Sequence, residues 1–88
     1  MTDPIEPLRA RFRARTATDR EVLLSLADGD RGAVALRHIV HGLAGAAGIF
    51  GYAALSRAAL EIDDLYADGH TPERIALLQL AEAMQRVV

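Results

Sequence analysis

An 88-residue chain, half of it apolar and rich in alanine, makes one domain (1–88) with one core; a second domain would bury too little surface to hold. It has no cysteine, which excludes disulfides and thiolate metal sites, and no apolar run near the roughly 20 residues of a membrane span. Ten arginines, no lysine and twelve acids leave a net charge of −2, the wrong sign for nucleic acid as the main partner. The start, Met1-Thr-Asp-Pro-Ile-Glu6, lacks the basic and apolar regions of a signal peptide, so the expected compartment is the cytoplasm. β-branched and aromatic strand formers are sparse, and the expected fold class is all-α.

Asp3-Pro4 reads as the start of a first helix, an N-cap followed by proline in the first turn. Ile5, Leu8, Phe12, Thr16, Asp19, Leu23 and Leu26 fall on one stripe. Thr18-Asp-Arg-Glu21 also matches a capping box, so one helix or two coaxial pieces broken near 16–18 stay open. Arg9, Arg13 and Arg20 form one row and Arg11 and Arg15 another. The plain reading is a solvated face, the alternative a docking patch for an acidic protein. Ala27-Asp-Gly-Asp30 ends the element, with Gly29 suited to a left-handed turn and Asp30 to capping the next helix.

A second helix is expected over about 31–49, with Leu36, Ile39, Leu43 and Phe50 on its buried face. His41 points the opposite way, beside Arg37, Ala44, Gly45 and Gly48. Gly42, Gly45 and Gly48 each cost about 1 kcal/mol against alanine inside a helix, which implies close approach to the backbone. Gly42 leans toward the core and suits a neighbouring helix, whereas Gly45 and Gly48 suit an external partner.

Gly51 marks a turn, and a third helix over about 52–68 buries Leu55, Ala58, Ala59, Ile62, Leu65 and Tyr66. Its outer face is acidic, with Glu61, Asp63, Asp64 and Asp68. After Asp68-Gly-His-Thr-Pro72, Thr71 suits an N-cap with Pro72 at the first position of a last helix over about 72–87. That helix carries Ile75, Leu78, Ala81, Met84 and Val88. Short connectors make successive helices antiparallel, giving an up-down-up-down four-helix bundle.

An outward imidazole is a competent nucleophile near neutral pH, and accepting a phosphoryl group is mainly a matter of positioning and charge neutralisation. His41-Gly-Leu43-Ala-Gly45, with Gly51 and Leu55 spaced behind it, resembles the histidine phosphotransfer (HPt) signature, His-x-Leu-Lys-Gly followed by a glycine and a leucine. The Ala-Asp-Gly-Asp30 turn, the length and the helical pattern are also similar to that family, and the resemblance covers nearly the whole chain. It implies that His41 accepts phosphate from the aspartate of a receiver domain, in a response regulator or hybrid histidine kinase, and passes it to a second. It also implies that Gly45 leaves room for the receiver, and that no ATP is bound. The chain would then be a relay and not an enzyme in its own right, with no cofactor and with magnesium held by the receiver.

Val34, His38, Ala44, Gly45 and Gly48 would form the docking surface, and the chain is expected to be a monomer. Where the family pattern has lysine, this chain has Ala44, and Arg37 one turn earlier is the candidate to replace it. A polar residue of the third helix would orient the imidazole, with Glu61, Asp63 and Asp64 unranked. The His38–His41 pair has no carboxylate at di-iron spacing, so metal binding is not expected. No phosphate-cradling glycine loop with its lysine is present. The rival function is a helical adaptor that uses the same surface with a silent histidine.

Overall fold

The computed structural model describes residues 3–88, which form four helices: α1 (Glu6–Ala27), α2 (Val34–Ile49), α3 (Ala53–Ala67) and α4 (Arg74–Gln85). Cross-helix contacts give the topology. Arg9 Nε donates to the Phe50 carbonyl at 3.4 Å, so the start of α1 lies beside the end of α2. Ser56 Oγ donates to the Ala44 carbonyl at 2.8 Å, pairing α2 with α3 in opposite directions. Arg20 Nε donates to the Ala81 carbonyl at 2.9 Å and Arg74 pairs with Asp28, which sets α4 antiparallel to α1. Each helix packs on its sequence neighbours, α4 closes back on α1, and the diagonal pairs do not meet. The result is the expected up-down-up-down bundle, 46 Å long and 22 × 19 Å across.

Its core is Phe12, Leu23, Leu36, Val40, Leu43, Leu55, Ile62, Leu77, Leu80 and Met84, with alanines at the close approaches Ala27, Ala47, Ala59 and Ala81. The first helix is continuous through 16–18. Buried Thr16 satisfies its hydroxyl on the Phe12 carbonyl at 2.8 Å, so the polar residue in the stripe needs no break. Arg9 and Arg13 share Glu6 at 2.9 Å each, and those hydrogen bonds hold the Glu6 carboxyl below its usual value. Arg9, Arg13 and Arg20 are thus turned to internal contacts, and that arginine row is not a free basic patch.

Several local expectations change. Asp3 accepts the Ile5 N–H at 3.0 Å, forming a turn ahead of α1 and not its N-cap. Asp30 likewise binds the Gly32 N–H at 3.0 Å, and α2 starts at Val34. Gly29 is not left-handed. That conformation belongs to Gly51 (φ +90°) and Gly69 (φ +78°). Each of these closes a helix with the six-to-one bond of a Schellman motif, Tyr52 N–H to Ala47 and His70 N–H to Leu65, both 2.8 Å. Thr71 does not cap α4. Pro72 is buried ahead of the helix, and its carbonyl accepts Arg31 Nε at 3.1 Å. On α4 the buried stripe is Leu77, Leu80, Ala81 and Met84, while Ile75 is 62% exposed. A strict spacing of three turns about 60° per step, so the series from Ile75 drifts off any single face. On α3, Leu65 is similarly left at the edge.

Candidate functional site around His41

The buried residues of α2 are Leu36, Val40, Leu43 and Ala47, whereas Ile39 and Phe50 are only half-buried. The core-facing direction is therefore rotated by roughly 40° from the one read from Leu36, Ile39, Leu43 and Phe50. That rotation decides what surrounds His41. Ala44, Gly48 and His41 lean toward α3, Ile39, Gly42 and Ala46 toward α1, and Val34, His38 and Gly45 point straight out.

His41 is 80% exposed in its side chain, and Asp63 of α3 stands beside it at 23%. The imidazole Nδ1 lies 3.1 and 3.3 Å from the two Asp63 carboxylate oxygens. A carboxylate can only accept, so this contact puts the ring hydrogen on Nδ1 and leaves the Nε2 lone pair open to solvent. Of the three acids that could orient His41, the geometry selects Asp63. Glu61 and Asp64 are exposed on other faces of α3.

Two concave surfaces flank α2, and His38 belongs to both. On the α3 side is a shallow pocket of about 390 Å3 holding His41, Asp63, Arg37 and Tyr66, with Val34 at its rim. The Arg37 guanidinium sits 5.9 Å from the centre of the Tyr66 ring, and the Tyr66 hydroxyl donates to the Arg31 carbonyl at 2.6 Å. On the α1 side is a larger, mainly apolar groove of about 580 Å3 between Phe12, Val22, Ile39 and Ala46, with Arg15 and Asp19 in its wall. Burial pushes the Asp19 carboxyl up, with Arg15 only partly opposing. This groove had no signal in the motif around His41, because one of its two walls is α1. No group of His, Asp and Glu suited to holding a metal occurs among the described residues.

A family model for the Hpt domain matches residues 7–88. The chain belongs to the Hpt domain family. No curated protein matches it, and no solved structure does. The family places the chain in two-component phosphorelay signalling, where Hpt domains generally interact with receiver domains or kinases. No helix among the described residues is long and apolar enough to cross a membrane.

Set in this Hpt fold, the glycines of α2 take different places from those expected. A Cβ on Gly48 would stand 3.3 Å from Ser56 Oγ, so its bareness lets α3 come close. Gly42 meets nothing within 4 Å and opens onto the α1 groove instead of serving a helix contact. Gly45 also meets nothing within 4 Å and lies fully at the surface. Ala44 is half-buried against the core, with its carbonyl taken by Ser56, while Val34 is 61% exposed.

Proposed function

We propose that this Hpt domain relays phosphoryl groups between receiver-domain aspartates through His41. The observation that supports this most is the His41–Asp63 contact on an otherwise open face, one ring nitrogen held and the other free. The Nε2 lone pair attacks the phosphorus of an aspartyl phosphate, the P–O bond to the donor aspartate breaks, and its carboxylate leaves. The phosphoryl group is then on Nε2. Its ring keeps the Nδ1 hydrogen and a positive charge, which Asp63 stabilises. Attack by the carboxylate of a second receiver reverses these steps. Positioning and charge supply the catalysis, and the receiver brings the magnesium. Val34, His38 and Gly45, with the apolar groove beyond them, form the surface on which receivers dock.

The adaptor reading keeps one observation in its favour, the absence of a lysine at position 44. Incubation with a phosphorylated receiver domain separates the two. Acid-labile phosphate is expected on the wild type and not on His41→Gln. A wild type that stays unlabelled while still binding the receiver makes the chain an adaptor.

A further inference from the structure

Phosphorylating His41 puts about two negative charges beside Asp63, already a carboxylate, and something must offset them. The C-terminal side of His41 offers nothing: residues 42–49 carry no charged side chain, and Ala44 is turned against the core. Other arginines are otherwise placed. Arg31 is bound to the Pro72 carbonyl, and Arg57 lies about 120° round α3 from Asp63. On the N-terminal side, Arg37 lines the same pocket as His41 and makes no ion pair among the described residues. Helical side chains lean toward the N-terminus, which carries the His41 ring toward Arg37 and His38.

Resting on the phosphotransfer reading, we infer that the phosphoryl group of His41 is met from its N-terminal side by Arg37, held ready on the face of Tyr66. Tyr66 is the positioning residue. It is buried, and its hydroxyl is anchored on the Arg31 carbonyl at 2.6 Å, so its ring is a fixed platform. An exposed guanidinium over an aromatic face is weakly held, and it gives up little on moving to a charge-assisted bond with a phosphoryl oxygen. The planar fork suits both partners, which a lysine at this place would not. His38 also lines this pocket.

Phosphoramidate, a small N-phosphoryl donor, labels the protein without a receiver and so isolates this chain's own contribution. The readouts are the rate of phosphohistidine formation and the pH titration of its 31P resonance, for wild type, Arg37→Ala, Arg37→Lys and Tyr66→Phe. One unit charge about 4–5 Å away in water is worth roughly 0.5–1 pH unit. The phosphoryl titration of Arg37→Ala is therefore expected about that much higher than wild type, with labelling several-fold slower and the melting curve unchanged. Arg37→Lys should fall between the two, and Tyr66→Phe, which keeps the ring but frees it from the Arg31 carbonyl, should shift part of the way toward Arg37→Ala. A labelled wild type with the same 31P titration in Arg37→Ala overturns this inference alone. A wild type that phosphoramidate cannot label at His41 overturns the phosphotransfer reading with it.

Discussion

Replacing Gly45 by alanine should raise stability and lower function together. The residue is inside α2 and exposed, and an added Cβ would find no neighbour within 4 Å. Nothing in the fold therefore opposes the helix propensity of alanine, worth about 0.8–1.0 kcal/mol over glycine. For a domain of this size 1 kcal/mol moves the midpoint by about 4–8 °C, so Gly45→Ala is expected to melt roughly 3–8 °C higher. Gly48→Ala is the control. Its Cβ would press on Ser56 Oγ at 3.3 Å, which also holds the Ala44 carbonyl, so most of the gain should be lost. For function, the added methyl stands one turn beyond His41, where a receiver would rest on bare backbone. Transfer from a phosphorylated receiver is expected to slow by about tenfold, equivalent to 1.4 kcal/mol, while labelling by phosphoramidate stays within about twofold of wild type. Calorimetry and the two labelling rates check this. A raised midpoint with an unchanged receiver rate would show that no partner approaches the Gly45 backbone. A midpoint that does not rise would show that the site is not open in the folded domain.

Asp63→Asn keeps an acceptor for Nδ1 but removes the charge. At an exposed imidazole that charge is worth about 1 kcal/mol, so phosphoramidate labelling should slow about fivefold; an unchanged rate would remove Asp63 from the reaction. In the wild type, NMR should place the phosphorus on Nε2. Gly51→Ala forces a side chain into φ +90° and should destabilise by about 1 kcal/mol, read by urea unfolding. Val22→Glu in the α1–α2 groove should weaken transfer from a receiver and leave phosphoramidate labelling unchanged, since Val22 lies outside the His41 pocket. Asp19 has a folded pKa above its ordinary 3.8, so its burial counts against the fold when it is ionised and the penalty fades as pH falls through the folded value. Asp19→Asn should accordingly be more stable than wild type at pH 7, with the gap closing by pH 3 in parallel melts.

The bundle was legible because its signals are local: glycine at three connectors, with proline at the last, and apolar spacing in four segments. The outward direction of His41 was equally readable, since it lies far from any plausible core face of α2. What failed was the finer phase. Choosing Ile39 and Phe50 over Val40 rotated α2 by roughly 40° and exchanged the places of Gly42 and Gly48, one read as internal and the other as external. An apolar residue at the boundary of a face looks the same in sequence as one at its centre, and only the neighbouring helix distinguishes them. Asp63 was more accessible than its unranked place among three acids implies. A hairpin turning at Gly51 pairs His41 with residues near 61–63, and of these polar side chains only Asp63 falls on the α2-facing side, in line with Ser56. The groove on the α1 side was not legible at all, because it depends on how closely α1 approaches α2, which no spacing within either helix records.

The phase of α2 also gives the exposed helix two unlike edges, one suited to the proposed phosphoryl chemistry and one to the proposed docking. Its α3 edge carries the polar groups of the His41 pocket: Asp63 on Nδ1, and Tyr66 under Arg37. Its α1 edge carries an apolar groove with no contact to those groups. Between them, Gly45 leaves a strip of bare backbone, and among the described residues His38 alone borders both cavities. On the proposed function a partner would gain affinity from burying apolar surface on one edge while the charges on the other stay hydrated until the phosphoryl group arrives. The proposed relay would divide its sequence constraints in the same way. On the proposed function, substitutions in the wall of the groove would change which receivers dock without disturbing His41, whereas Asp63 would admit little change, because its carboxylate is held directly against the imidazole.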